Sequence, residues 1–221
     1  MTLLPEQFIA DTKIEASASV LIQNYGRRYG VILKPPVPVE TIIDFCAGVP
    51  IVYERIPDSD GRPVLAKLLV KRPQPEIWIN ENWLSFFDQH EGSLEYTLAH
   101  ELGHWIHHVD KAALQTELLP IAEERSMILC RTPDSHRGKR EWQAERFAAY
   151  LLMPEDLVRQ TSTNLNLLQW GTLYDLRKQF GVTISAFMRR MKELRMVEVL
   201  PGKRLVRYHD AHPSSSPSLW G

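Results

Sequence analysis

Apolar residues recur at helical spacing in two segments near the start of the chain. In residues 12–28 they fall three or four positions apart, which places them on one face of a helix, and Thr12 with Glu15 suggests a capping box. After the proline-rich residues 34–38, a shorter helix is predicted to end at Gly48. The two apolar faces comprise Ile14, Ala18, Leu21 and Tyr25, and then Val39, Ile42, Ile43 and Cys46.

The pattern then changes to that of extended chain. Three segments predict strands, separated by stretches rich in Pro, Asp and Gly. These strands cover residues 49–55, 63–71 and 76–80. In the third strand, alternation places Ile77 and Ile79 on one face and Trp78 and Asn80 on the other.

Two longer helices follow, over residues 93–108 and 139–153, and Pro154 stops the second. Each has an apolar stripe that predicts burial against a core. Gly103, unfavourable inside a helix, predicts the close approach of another backbone. The stripes comprise Leu94, Leu98, Leu102, Trp105 and Ile106 in the first helix, and Ala144, Phe147, Ala148 and Leu151 in the second.

The last third of the chain predicts a helix-turn-helix with a short wing. Helices over residues 172–180 and 183–194 meet at Gly181, and a small hairpin follows to residue 208. The whole pattern predicts an α+β fold with a small antiparallel or mixed sheet. We predict a first domain over residues 1–160, a helix-turn-helix-like segment over 161–209 and a disordered tail over 210–221.

Composition narrows the function classes. Of 221 residues, 44% are hydrophobic and 24% charged, which excludes disordered, collagen-like and coiled-coil classes. The net charge of −1 gives no overall attraction to nucleic acid or membranes. No segment approaches the ~20 apolar residues of a membrane span, and the first residues do not form a signal peptide. Because two cysteines cannot form a disulfide framework, we predict a cytoplasmic protein with no membrane partner.

The candidate chemistry lies in residues 100–104, His-Glu-Leu-Gly-His. Four residues along a helix advance ~6 Å and return to nearly the same face, so His100 and His104 can bind one metal ion. Glu101 lies ~100° around the helix from His100, where it can take a proton from a water on the metal. Because a leucine stripe covers the opposite face, the histidines are expected to point outward into a cleft. The spacing predicts one zinc ion per chain.

A third ligand is expected from the helix over residues 139–153. Glu141 and Glu145 lie one turn apart there, beside the apolar stripe. Glu141 would bind the metal, and Glu145 would orient a ligand histidine by accepting its second N–H. Alternatively, both carboxylates lie on a solvated face.

A second alternative takes Asp110 as the third ligand, as in a metzincin. That pattern requires a glycine where His107 stands, because the chain must turn to deliver residue 110. His107 and His108 continue the helix. Each is expected either to contact a metal ligand without binding the metal itself or to lie at the surface.

These motifs resemble those of one known family. TLAHELGHWIHH followed by EWQAERFAAYLLMP is similar to the paired motifs of the ImmA/IrrE zinc metallopeptidases, which are bacterial and phage-associated. PVPVETI and the Ile-x-Ile-Asn strand also match elements of the family. Two departures are Glu145, where Asn or Asp is usual, and the lead-in Leu94-Glu95-Tyr96, which replaces a basic-aromatic one.

The resemblance implies a gluzincin-like metallopeptidase domain over residues 1–160. It implies His100, His104 and Glu141 as zinc ligands, and Glu101 as the catalytic acid and base. The implied substrate is a helix-turn-helix repressor, often encoded nearby, whose cleavage relieves repression. In gluzincin-like clefts an extended peptide pairs with a sheet edge beside the active helix, and the nearest strand in sequence contains Ile77, Trp78, Ile79 and Asn80.

The C-terminal segment has a local positive charge. Residues 177–207 hold nine Lys or Arg and two Glu, a local charge of +7. Arg189, Arg190 and Lys192 are expected to lie mostly off the apolar stripe of their helix, where they could contact DNA phosphates, dock a protein or simply be solvated. We favour packing or protein docking over DNA. The alternative function is a DNA-binding regulator or interaction module with a vestigial or structural zinc site.

Overall fold

The computed structural model describes residues 3–5, 7–59, 63–71, 74–112, 127–131 and 138–211. Its helices are α1 (Asp11–Tyr29), α2 (Val39–Thr41), α3 (Leu84–Gln89), α4 (Ser93–His108), α5 (Lys139–Leu152), α6 (Glu155–Thr161), α7 (Trp170–Phe180), α8 (Ile184–Glu193) and α9 (Tyr208–Ala211). A π-helical segment, Ile42–Ala47, continues α2, and 3-10 turns occupy Glu81–Trp83 and Pro201–Lys203.

The described strands form a four-stranded sheet and a two-stranded hairpin. The strands are β1 (Ile51–Glu54), β2 (Ala66–Val70), β3 (Glu76–Asn80), β4 (Met127–Arg131), β5 (Val197–Leu200) and β6 (Arg204–Arg207). The larger sheet has the order β1-β3-β2-β4, in which β1 runs parallel to β3 and the other pairs are antiparallel. The α+β class, with a small mixed sheet, is therefore confirmed.

The position of β3 contradicts its predicted role as the edge strand that binds substrate. β1 pairs along one side of β3, with Ile51 opposite Ile77, and β2 pairs along the other, with Leu68 also opposite Ile77. Both backbone edges of the strand that contains Trp78 and Ile79 are thus already used. Among the described strands of this sheet, the outer ones are β1 and β4.

Asn80 has a structural role at the end of β3. Its fully buried side chain accepts hydrogen bonds from the backbone N–H groups of Ile56 and Asn82. It also donates to the carbonyl oxygens of Ile56 and Val64, at 2.9 and 2.7 Å. These bonds join the end of the strand to the connection between β1 and β2 and to the turn that follows β3, so Asn80 is not available to a peptide.

The predicted capping box at the start of α1 is wrong. The helix begins at Asp11, and the preceding residue is Ala10, which makes no side-chain cap. Thr12 therefore lies inside the first turn. The Asp11 carboxylate lies in the positive end of the helix dipole and pairs with Arg146 of α5 at 3.0 Å.

The central helices α4 and α5 pack against each other along much of their length. The predicted stripe of α5 is buried, as are Leu98 and Leu102 of α4, whereas Leu94, Trp105 and Ile106 of the α4 stripe are only partly buried against the core. A Cβ atom on Gly103 would lie 3.1 Å from the Cα of Ala144, which confirms that another backbone approaches this glycine. The small residue sets how closely the two helices approach.

The C-terminal helices pack against the same core as α4 and α5. Phe180 of α7 and Phe187 of α8 are fully buried in the cluster that contains Leu98 and Phe147. Gly92, before α4, touches the turn between α7 and α8, since a Cβ there would collide with the carbonyl oxygen of Gly181. The division at residue 160 stays a prediction.

The remaining expectations about local structure have mixed outcomes. Thr183 caps α8 by accepting from the N–H of Ala186, and the predicted C-terminal hairpin is present. The strand β4 was not predicted. The first two residues of the expected tail, Asp210 and Ala211, end α9, whereas residues 132–137 and 212–221 lie outside the described part of the chain. Within that part, the structure contains no helix both long and apolar enough for a membrane span.

Candidate metal centre

One face of α4 carries His100, His104 and His108, each one turn after the last. All three side chains are buried, and only 1–3% of each residue is exposed. The expectation that the histidines point outward into a cleft is therefore wrong. The reason is the packing of α5, which covers this face of α4 and brings its own polar residues to the rings.

The first turn of α5 supplies the carboxylate of Glu141. Its Oε2 lies 3.2 Å from Nε2 of His100, and its Oε1 lies 3.3 Å from Nε2 of His104. The two Nε2 atoms are 3.1 Å apart. Burial raises the pKa of Glu141, but hydrogen bonds to His100 and His104 outweigh it and hold the pKa well below its usual value. The group is thus a carboxylate facing two imidazole nitrogens.

The arrangement fits a tetrahedral zinc ion. Zinc at ~2.0–2.1 Å from each ligand separates the ligand atoms by about 3.3 Å. The three contacts above match that separation, and the three donor groups lie within 4.8 Å of one another. Glu141 keeps 20% of its side chain exposed, whereas the rings keep 2%. Solvent therefore reaches the candidate metal group from the side of Glu141.

Glu101 lies on α4 directly after the first histidine of the group. It is completely buried. A carboxylate with no solvent exposure, one residue from a metal ligand, is the usual arrangement of a group that handles a proton rather than of one that adds solubility.

Asp110 and Glu145 are not part of the candidate metal group in the described part of the chain. Asp110 follows the end of α4 and is not in the group that could hold a metal, within the residues the structure describes. The carboxylate of Glu145, on α5, lies 3.9 Å from Nη1 of Arg189. The backbone carbonyl of Glu145 accepts from the Tyr96 hydroxyl at 3.4 Å. Its role in orienting a ligand histidine stays a prediction.

His108 contacts His104 through the ring nitrogen opposite the one that faces Glu141, and Gln143 contacts His108 in turn. Nδ1 of His108 lies 2.9 Å from Nδ1 of His104, and its Nε2 lies 2.9 Å from Oε1 of Gln143. Nε2 of Gln143 donates to the carbonyl oxygen of Gln7 at 2.8 Å. Burial, followed by the charge of His104, lowers the pKa of His108 to about 4, so the ring is neutral at pH 7.

Sequence reasoning missed Gln143, although a signal was present. The residue precedes Phe147 by four positions and Tyr150 by seven, which are both buried. A polar side chain at that spacing belongs to a buried face, where it must find hydrogen-bond partners.

His107 lies on a different side of α4. Its Nε2 is 3.0 Å from Oγ of Ser17 in α1, and its ring stands edge-on to Phe147 at 5.5 Å. Burial and the nearby Lys111 lower the pKa of His107 to about 4. It joins α1 to α4 and α5 and is not part of the candidate metal group.

The three basic residues of α8 do not form one exposed surface. Arg190 is 3% exposed, and it donates to the carbonyl oxygen of Met153 at 3.0 Å and to Oε1 of Glu15 at 2.6 Å. Its assignment to a docking surface is therefore wrong, because it connects α8 to α1 and to the end of α5. Arg189 and Lys192 keep 66% and 58% of their side chains exposed, and Lys192 pairs with Glu198 of β5.

Comparisons with known proteins give one family match. The family model Peptidase_M78, described as an IrrE N-terminal-like domain, matches residues 46–192. Among solved structures, a Mycobacterium tuberculosis transcriptional regulator gives a TM-score of 0.47 at 15% identity, over 89% of this chain and 50% of that one. This chain thus spans about half the length of that protein. A comparison with curated proteins found no match.

Proposed function

The chain belongs to the Peptidase_M78 family, and we propose that it is a zinc-dependent endopeptidase. The observation that carries the proposal is the triangle of His100, His104 and Glu141, whose donor atoms stand 3.1–3.3 Å apart. Glu101, which follows His100 in the sequence, is completely buried. Two histidines, one glutamate and a free position form a common zinc set in hydrolases, whereas structural zinc sites have four protein ligands.

In the proposed hydrolysis, three residues bind the metal and a fourth transfers the proton. His100, His104 and Glu141 would hold zinc, which polarises the peptide carbonyl and promotes ionisation of water. Glu101 takes the proton of the attacking water as the new C–O bond forms. It then delivers that proton to the amine nitrogen as the C–N bond breaks. The burial of Glu101 keeps bulk water away from this exchange.

The same proposal includes a substrate class. The similarity of the paired motifs to the ImmA/IrrE metallopeptidases supports a helix-turn-helix repressor encoded nearby, whose cleavage would relieve repression. The exposed Arg189 and Lys192 remain candidates for docking such a protein. A DNA-binding role is less well supported, because Arg190 is buried and the turn between α7 and α8 contacts Gly92.

A matched pair of variants tests the chemistry. Glu101→Gln keeps size and hydrogen bonding but removes the base, so we expect normal zinc binding and a loss of at least ~10²-fold in cleavage rate. His100→Ala should lose zinc and activity together. The measurements are zinc per chain after reconstitution and desalting, and cleavage of the neighbouring repressor followed by mass spectrometry.

Two results would overturn the proposal. Wild-type protein that retains no zinc after reconstitution would remove the metal centre. A Glu101→Gln variant that cleaves at the wild-type rate would show that this carboxylate is not the base.

A further inference from the structure

A continuous series of hydrogen bonds connects the backbone near the N-terminus to the ligand His104. It runs from the carbonyl of Gln7 to the amide of Gln143, then to His108 and then to Nδ1 of His104. The three contacts measure 2.8, 2.9 and 2.9 Å. Both imidazole rings are buried, so the bonds from Gln143 to His108 and from His108 to His104 are shielded from solvent.

The fixed end of the series sets the orientation of the Gln143 amide. A backbone carbonyl oxygen can only accept a hydrogen bond, so the atom facing Gln7 must be the NH₂ group of Gln143. The amide oxygen then faces His108. That oxygen also only accepts, and therefore Nε2 of His108 must carry a hydrogen.

The same donor and acceptor rules determine which ring nitrogen of His108 and of His104 carries the hydrogen. A neutral imidazole has one N–H, so a His108 protonated at Nε2 offers a bare Nδ1. That nitrogen accepts from Nδ1–H of His104, 2.9 Å away. Because Nδ1 of His104 is the donor to His108, Nε2 is the nitrogen that faces His100 and Glu141 and that would bind a metal.

We propose that Gln143 is a positioning residue that, through His108, holds His104 in the tautomer whose Nε2 lone pair faces the metal. The inference rests on the proposed zinc site for its purpose, whereas the tautomers can be measured without metal. Without the series, His104 could carry its hydrogen on Nε2, and that hydrogen would have to leave before a metal could bind.

The N-terminal segment provides the fixed end. The N–H of Leu4 donates to the carbonyl of His108 at 3.0 Å, and Nη2 of Arg140 donates to the carbonyl of Leu4 at 2.7 Å. Arg140 and Gln143 thus both attach this segment to α5. Of the two, Gln143 hydrogen-bonds to a histidine in the described structure, whereas Arg140 acts on His108 through its charge alone. This difference supplies a matched control.

The first experiment is long-range ¹H–¹⁵N NMR of the metal-free, full-length protein at neutral pH. We expect His104 to carry its hydrogen on Nδ1 and His108 on Nε2 in the wild type and in Arg140→Met. In Gln143→Met, which keeps the length of the side chain but offers no oxygen acceptor, both rings should become tautomer mixtures. A wild-type His104 that carries no hydrogen on Nδ1 would overturn the proposal, and this result does not depend on any variant folding.

The second experiment measures zinc affinity by competition with a chelating dye. Gln143→Met should bind zinc about 10- to 100-fold more weakly, the usual cost of losing a partner behind a ligand histidine, and Arg140→Met should match the wild type. Equal losses of zinc affinity in the two variants would overturn the proposal. They would show that the effect comes from detaching the N-terminal segment from α5 and not from the bond between Gln143 and His108. Normal tautomers in a protein that binds zinc but cleaves no peptide would contradict the proposed function and leave the role of Gln143 intact.

Discussion

The carboxylate of Glu141 contacts two imidazole rings through its two different oxygen atoms. Asp110, the other candidate, follows the end of α4 and lies outside this group. The site therefore draws its carboxylate from a second helix and not from the continuation of the first. This arrangement couples the metal site to the packing of α4 against α5.

Replacing Glu141 and Asp110 one at a time distinguishes a site completed by α5 from a metzincin-like site. Loss of a residue that hydrogen-bonds to a metal ligand usually weakens metal binding by about 10- to 100-fold. Because Glu141→Ala removes a proposed ligand itself, it should weaken zinc binding by more than that. Asp110→Ala should bind zinc like the wild type. The measurement is a competition titration, and the opposite ranking would move the site to a metzincin-like geometry.

His107 should make the fold sensitive to mild acid. Its pKa is about 4 in the folded protein, mainly because of burial, against about 6.5 when unfolded. Between these values only the unfolded chain binds the proton, so this residue's contribution to stability is complete above pH ~6.5 and falls as the pH approaches 4.

A variant isolates this contribution from that of the metal ligands. His107→Leu preserves packing on Phe147 but cannot take a proton, so its free energy of unfolding should fall less than that of the wild type between pH 7 and pH 5. Urea unfolding of the metal-free proteins measures the difference. Parallel losses in the two proteins would contradict the assignment.

The contact between α4 and α5 depends on Gly103. A side chain there would press on Ala144 and Phe147, each about 3.1 Å from the position of a Cβ atom. Because the histidines lie on one helix and Glu141 on the other, any separation of the helices also changes the triangle of ligands. Stability and metal affinity should thus fall together.

Gly103→Val tests this coupling. Overpacking of this kind costs ~1–3 kcal/mol, and we expect a lower Tm and weaker zinc binding. The control is Gly171→Ala in α7, where no atom of the described residues outside its own stretch of helix lies within 4 Å of the added Cβ, so that variant should be neutral or up to ~1 kcal/mol more stable. Weaker zinc binding in both variants, or in neither, would argue against the coupling.

The whole chain is held together by charged groups as well as by its apolar core. Arg190 of α8 bonds to Glu15 of α1 and to the carbonyl of Met153, and Arg146 of α5 contacts both Asp11 and Glu193. These ion pairs connect the C-terminal helices to the helices around the metal group. At least one basic residue of α8, Arg190, thus holds the helix against α1 and the end of α5 and does not contribute to a basic surface.

Adjacent arginines provide the test. Arg190→Leu removes two hydrogen bonds of a buried charged group, each worth ~1.5–3 kcal/mol, so the variant should be markedly less stable to denaturant. Arg189→Leu, at an exposed position, should change the unfolding free energy by no more than ~0.5 kcal/mol. Equal stabilities would show that Arg190 does not hold the C-terminal helices in place.

The sequence by itself determined the helices that carry the chemistry. The stripe of α4, the spacing of His100 and His104, and the stripe of α5 all follow from the 3.6-residue period, which is a local property of the chain. The hairpin of β5 and β6 and the cap at Thr183 are equally local. Each could be predicted because the interacting residues lie close together in sequence.

Only the tertiary structure decided what depends on residues far apart in the chain. The pairing of β1 and β2 with β3 excluded a peptide from Ile77–Asn80, and α5 buried the histidines that the pattern of α4 alone left exposed. The burial of Arg190 and the bond from Gln143 to His108 arise in the same way. Periodicity reveals which face of an element is apolar, but not which element covers it, and the partners of a buried polar group are fixed only when distant segments pack.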